Sequence, residues 1–279
     1  MRRITENTIR KFEAYLMDEE KSAATLEKYI RDVAAFAAWC NGWDICKGLV
    51  MEYKRGLTER YAPASVNSIL SSLNSFFSYL EWYDCKVKTL RIQRQLFSGE
   101  DKLLSKAEYE RLLTAAKKKG NQKLYLLMQT ICATGIRVSE LKYVTIEALQ
   151  KRKATISMKG KSRMVILPDS LCRTLLAYAK KQRLTSGAVF ISRAGKPMNR
   201  SNIWRLMKNL CESANVKKEK VFPHALRHLF ARTYYSLQKD VVRLADILGH
   251  TSVNTTRIYT METGEVHRKQ IEKLGLLRC

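Results

Sequence analysis

The chain has 279 residues, 46% of them hydrophobic, and carries 51 lysines and arginines against 26 acids, a formal charge of +25. This length suits two ordinary domains rather than one small one. A balance so basic points away from an inert neutral surface and towards a polyanionic partner, nucleic acid first. No apolar signal core follows Met1-Arg2-Arg3-Ile4, and no run approaches the ~18 apolar residues of a membrane span. The expected setting is the cytoplasm, with no membrane partner.

The elements predicted in chain order begin with helices. A first lies near residues 8–19. Ser22 suits an N-cap, and Leu26, Tyr29, Ile30, Val33 and Phe36 recur behind it at helical spacing. A third helix covers about 49–60. Pro63 opens a fourth, whose apolar stripe includes Val66, Leu70, Leu73, Phe76 and Phe77 and whose other face is rich in Ser and Asn. These make a four-helix domain over residues 1–84. Residues 85–101 break the pattern with Lys86, Lys88, Arg91 and Arg94 and no acid before Glu100, and read as a basic linker that straps a DNA backbone.

Residues 102–279 form the second domain. Ser105 and Glu108 have capping-box spacing ahead of a helix reaching about residue 118. A buried helix covers 124–134 and ends at Gly135. Strands at 154–158 and 163–167, joined by Lys159-Gly160-Lys161-Ser162, form a β-hairpin. Helices follow at 169–181, 201–213, 224–236, 241–248 and 252–261, with a tail helix at about 265–274. The class is mainly α with one small hairpin. Charge divides along the same line: residues 1–100 hold 15 basic and 13 acidic side chains, the remainder 36 and 13. Seven scattered cysteines without a C-x-x-C read as reduced thiols, neither a disulfide framework nor a metal site.

Four segments carry the chemistry: Ala133-Thr134-Gly135-Ile136-Arg137-Val138-Ser139-Glu140-Leu141; the hairpin Lys159-Gly160-Lys161-Ser162-Arg163; His224-Ala225-Leu226-Arg227-His228; and Leu248-Gly249-His250 with Tyr259 nine residues after the histidine. Arginine forks match two phosphate oxygens at once. A phenol, titrating near ~10, must lose its proton as it attacks. A histidine can take that proton. His224 and His228, four apart, could also form a zinc pair, but Ala225 stands where H-E-x-x-H requires Glu.

In order and spacing these segments resemble the boxes of the tyrosine recombinases, the phage and transposon integrases and Xer-type enzymes. The resemblance is strongest over residues 133–259 and looser over the N-terminal helices. It implies a helical core-binding domain joined to an α/β tyrosine-recombinase catalytic domain with a C-terminal tail helix. It implies catalytic roles for Arg137, Lys159, His224, Arg227, His250 and Tyr259: the arginines and His250 on the scissile phosphate, His224 as base or orienting group, Lys159 as acid, Tyr259 as nucleophile. Glu140 and His228 would orient their neighbours. No metal or cofactor is implied.

The implied function is site-specific DNA recombination, by integration and excision or by dimer resolution, through a 3′-phosphotyrosyl intermediate. A homotetramer would act on paired double-stranded sites, with the tail helix packed into a neighbour and an activating protein as a further partner. Candidate base contacts lie on the helix from Pro63 and at Arg200, Asn202, Arg205 and Lys208. Two other readings share these features: a DNA-binding regulator that never cuts, which needs no Tyr259, and a type IB topoisomerase-like nicking-closing enzyme, which needs no paired sites.

Overall fold

The computed structural model describes residues 2–92, 103–158, 161–250, 252–259 and 273. The chain divides into two compact units, Met1–Arg94 and Gln95–Cys279.

The first unit contains four helices, α1 (Glu6–Asp18), α2 (Ala23–Cys40), α3 (Lys47–Arg60) and α4 (Pro63–Tyr79). Thr5 caps α1 by accepting from the Thr8 amide, and Pro63 opens α4 where a missing N–H costs nothing. Ser22 stands at the N-cap of α2, but its hydroxyl meets the Thr25 hydroxyl at 2.8 Å rather than an amide. The apolar stripes meet in one core around Phe12, Phe36, Leu70, Phe76 and Phe77, all fully buried. Each ring contributes about 1.5–3 kcal/mol by burial. Across that core, buried Asp32 on α2 accepts from Lys28 Nζ at 2.7 Å and from Ser72 Oγ of α4 at 2.8 Å. A buried carboxylate persists only with such partners.

The polar face of α4 has an occupant within its own unit. Asn67 accepts from the Leu90 amide at 2.7 Å and donates to its carbonyl at 2.9 Å, and Asn74 pairs with Val87 at 3.1 and 2.8 Å. Lys54 Nζ donates to the Lys88 carbonyl at 2.7 Å. Cys85 and Val87 are buried in the first core. The stretch expected as a linker from residue 85 is therefore laid on the first unit as far as Leu90. Two amides of the helix expected to meet DNA are spent in holding it.

The second unit starts with α5 (Lys106–Lys118), closed by the Ser105/Glu108 capping box, and the buried α6 (Gln122–Thr134). A tight 3-10 turn, Val138–Tyr143, leads to the short α7 (Ile146–Gln150). Strands β1 (Lys153–Met158) and β2 (Lys161–Ile166) pair antiparallel, with Lys153 opposite Ile166 and Met158 opposite Lys161. Then come α8 (Asp169–Lys181), α9 (Arg200–Lys208), α10 (Pro223–Gln238), α11 (Val241–Leu248) and α12 (Val253–Thr256), with a 3-10 turn Arg257–Tyr259. The large core lies among α5–α10 and the hairpin, while Ala231, Leu244, Leu248 and Tyr259 form a separate apolar cluster.

The bounds of four elements differ from expectation in ways that matter for the site. The strands run one residue earlier on β1 and two on β2, because the ladder extends to the Met158–Lys161 pair and leaves two residues rather than four for the turn. The helix expected to residue 213 ends at Lys208, where bonding tightens to three-residue steps, Leu210 to Met207 and Cys211 to Lys208. The helix expected over 252–261 tightens after Thr256; three-residue steps stack side chains three apart, and Thr256 and Tyr259 both turn inward. The tail helix at 265–274 falls outside the described residues, Lys273 apart, as does Lys159. Among the described residues, no helix is long and apolar enough to cross a membrane. The cysteines described are free, and Cys46 is exposed at the start of α3.

Candidate active site

The site is assembled around one helix end. The last carbonyls of any helix lack partners within it and carry the negative end of its dipole. At the C-terminus of α11, three successive carbonyls meet three arginines from distant parts of the chain. Ile247 accepts from Arg163 Nη1 at 2.9 Å, Leu248 from Arg227 Nη2 at 2.8 Å, and Gly249 from Arg137 Nη2 at 3.3 Å. A second helix end helps, since Arg227 Nη1 donates to the Gly135 carbonyl, past the end of α6, at 2.5 Å.

The glycines in these motifs are there for space and conformation. Gly135 and Gly249 both lie at φ +63° as left-handed helix caps. A Cβ on Gly135 would sit 2.5 Å from the Phe230 ring, and one on Gly249 would sit 2.3 Å from Arg163 Cδ. Arg163 is tethered at both ends, so it has little freedom to retreat. Gly249→Ala is expected to lower stability by about 1–3 kcal/mol, from left-handed strain plus overpacking. A thermal melt beside Gly187→Ala, which has the same strain but open space, isolates the packing part.

Arg137 and Arg227 differ in kind. Arg137 keeps 38% of its side chain exposed while Nη1 donates to Glu140 Oε1 at 2.9 Å. It presents a guanidinium edge to solvent, as a phosphate clamp requires. Arg227 is 1% exposed. Of its five N–H groups, Nη2 spends both, on Leu248 and on His250 Nε2 at 3.0 Å, and Nη1 spends one on Gly135. Nε has no partner among the described residues. Burial, then Arg137, lowers the Arg227 pKa to about 10, which leaves it charged at neutral pH.

Glu140 is the site's buried acid, 3% exposed. It accepts from the Arg137 amide at 2.8 Å and from Arg163 Nη2 at 2.6 Å, besides the Arg137 guanidinium. Burial alone would raise its pKa; the Arg137 amide and the two guanidiniums outweigh that and hold it below the usual carboxylate range. Three guanidiniums against one carboxylate leave the pocket with excess positive charge, suited to an anion.

The histidines and the tyrosine complete it. An arginine can only donate, so His250 Nε2 must accept from Arg227, which puts the ring proton on Nδ1, facing Thr256 Oγ1 at 2.8 Å. Tyr259, 3% exposed, lies near enough to Arg227 to favour its charged form, stacks on His250 with centroids 6.0 Å apart, and meets His228 edge to face at 4.7 Å. His228 meets His224 in the same way at 4.7 Å. His224 opens α10 beside Arg200. Desolvation, then Arg227, Arg137 and Arg200, hold it below its ordinary value. Desolvation, helped mainly by His224 for His228 and by Arg227 for His250, lowers those two to about 4.

A pH dependence follows. These rings titrate near ~6.5 when unfolded and lower when folded. Between about pH 6.5 and about pH 4 the unfolded chain binds more protons, so stability falls as pH drops through that window and is level above it. Urea midpoints of the DNA-free protein should show this fall, and His228→Asn should flatten it; an unchanged profile would assign the fall to other groups.

Five of the six candidate catalytic residues thus converge, and Lys159 lies outside the described residues. Of the four candidate base contacts on α9, Arg205 Nη2 donates to Asn202 Oδ1 at 3.3 Å, Lys208 Nζ bonds the Lys218 carbonyl and lies 5.3 Å from the Trp204 ring centroid, and the Arg200 charge acts on His224 from the start of the helix. Sequence reasoning did not single out Arg163 or Thr256. The signal available for Arg163 was a charged residue alternating with apolar ones along a strand; for Thr256 it was the three-residue spacing to Tyr259.

Comparisons with known proteins agree in both units. Residues 102–265 match the model of the phage integrase family, and residues 9–83 match that of the phage integrase N-terminal SAM-like domain. Tyrosine recombinase XerD of Vibrio cholerae is 30% identical over 226 residues, 76% of this chain and 75% of that protein. Tyrosine recombinase XerA of Thermococcus kodakarensis is 28% identical over 281 residues, 96% of this chain and 95% of that one. The crystal structure of a lambda integrase tetramer bound to a Holliday junction superimposes with a TM-score of 0.72 at 19% identity, covering 91% of this chain and 76% of that one. The chain is a member of the phage integrase family, the tyrosine recombinases.

Proposed function

We propose that the protein carries out site-specific recombination of double-stranded DNA with Tyr259 as nucleophile in its own protomer's site. The observation that carries this reading is the seat of Tyr259: a buried phenol close to the Arg227 charge and flanked by His250 and His228, in a pocket that also holds the partly exposed Arg137. The phenol oxygen attacks the scissile phosphorus while the P–O5′ bond breaks, leaving a 3′-phosphotyrosyl link and a 5′-hydroxyl. Arg137 and Arg227 hold the non-bridging oxygens. His224, kept neutral, takes the phenolic proton. Lys159 supplies the proton for the departing oxygen. His250 bonds a phosphate oxygen; since its Nε2 is an acceptor before DNA arrives, the ring must move or gain a proton as the phosphate enters.

In this reading residues 1–84, with 85–90 laid on them, are the core-type DNA-binding domain, the rest of 85–101 the connection and 102–279 the catalytic domain. The 5′-hydroxyl then attacks a partner strand's phosphotyrosine, so the bond energy is conserved and no nucleotide cofactor is consumed. Paired sites call for a homotetramer, supported by the lambda integrase tetramer on its junction. An activating protein is a further partner, and the setting is the cytoplasm. The deciding experiment is covalent trapping: enzyme is mixed with randomised duplexes nicked so that the 5′-hydroxyl fragment is lost. A denaturant-resistant protein–DNA band supports the reading, and its sequenced DNA identifies the site. Salt-sensitive binding without a band would favour a regulator that does not cut.

A further inference from the structure

Strand β2 is patterned against expectation. Its inward face carries Arg163 and Val165, 17% exposed at the Arg163 side chain and 3% at Val165, while Met164 and Ile166 face outward at 58% and 76%. Successive strand residues alternate faces, so a charged group holds a core-facing position while two apolar ones are left in solvent. A buried guanidinium is costly to desolvate and remains charged only where its contacts compensate.

Those contacts lead to the phosphate clamp. Arg137 has two supports, Glu140 Oε1 and the Gly249 carbonyl. Arg163 underlies both. Its Nη2 holds Glu140 Oε2 at 2.6 Å, which leaves Oε1 turned to Arg137. Its Nη1 holds the Ile247 carbonyl at 2.9 Å, and its Cδ fills the space that a Cβ on Gly249 would need. Without it, Oε2 keeps only the Arg137 amide, so the carboxylate that orients the Arg137 guanidinium is less firmly held, and the 247–249 turn loses one of its three arginine ties.

We propose that Arg163 is a positioning residue for the recombination reaction, aligning Arg137 through Glu140 and the Ile247–Gly249 turn without touching DNA itself. The proposal rests on the reaction assigned above. It is tested on the duplex recovered by trapping, made once with its natural scissile phosphodiester and once with a methylphosphonate there. The methyl group removes the negative charge that the clamp neutralises.

Arg163→Gln should bind this duplex as the unaltered enzyme does and cleave the phosphodiester roughly 100-fold more slowly, about the cost of one oxyanion contact. On the methylphosphonate the deficit should shrink to below roughly tenfold, since less charge then needs stabilising. Adding Arg163→Gln to Arg137→Ala should slow cleavage no further, as for two changes acting through one group. A purely structural staple would lose the same factor on both substrates and lower the melting temperature; that result, or full activity, overturns the proposal. If Arg163→Gln fails to fold, Arg163→Lys, which keeps a charge on Glu140 without the fork that also holds Ile247, is read in the same way. Failure of the reaction assignment shows differently: the unaltered enzyme traps no duplex from the randomised pool, so no substrate is recovered. Hydrogen exchange of the DNA-free protein then reads the role alone. Faster exchange over 247–250 in Arg163→Gln supports it, and unchanged exchange overturns it.

Discussion

Tyr259→Phe should bind the duplex as tightly as the unaltered enzyme and form no covalent complex. The expected loss is roughly 10⁴-fold or more, the scale found when a nucleophile is removed from an otherwise intact site. Phenylalanine fits because Tyr259 belongs to an apolar cluster with Ala231, Leu244 and Leu248, where the ring supplies the packing. What is lost is the hydroxyl and its favourable interaction with the Arg227 charge. Removing it from a well-tied guanidinium costs on the order of 1 kcal/mol of stability, so the melting temperature should barely move. A covalent band persisting in the phenylalanine variant would mean that another side chain attacks the phosphate.

Arg227→Ala should abolish cleavage and also weaken the fold, whereas Arg137→Ala should affect cleavage alone. Both lose a cation proposed above to hold the phosphate, with an expected fall of roughly 10³-fold or more for Arg227. They separate in stability because Arg137 is substantially exposed and Arg227 is not. Deleting the Arg227 side chain strands the Gly135 and Leu248 carbonyls and His250 Nε2, and opens a void. Each buried acceptor left without a donor costs about 1–3 kcal/mol. A total near ~3 kcal/mol or more should lower the melting temperature by roughly 6–12 °C, at the 2–4 °C per kcal/mol of a domain this size. Equal melting temperatures for both variants would show that water replaces the lost donors. Most DNA affinity should survive in each.

Much of this site was legible in the sequence because it is encoded locally. Gly135 beside Arg137, Arg227 one turn after His224 and Tyr259 nine residues after His250 are short-range patterns, and the capping boxes and the Pro63 start are local as well. What could not be read depends on long-range approach. Nothing near Arg163 says that it meets Glu140 and Ile247, 23 and 84 residues away. The Asn-rich face of α4 looked free because its occupant lies 13 and 23 residues further on. The ends of α9 and α12 were misplaced because hydrophobic spacing continues through tight turns as readily as through helix.

The convergence on the end of α11 has a bearing on how such a protein is made. Residues 137, 163, 227 and 247–259 are synthesised in that order, and the carbonyls that gather the arginines come near the end. Domains fold as they leave the ribosome, the N-terminal one first. The first unit is therefore complete while the second still lacks both Tyr259 and the turn that gathers its arginines. If Tyr259 is the nucleophile proposed above, cleavage waits until this turn and the residues that follow it have been made and packed.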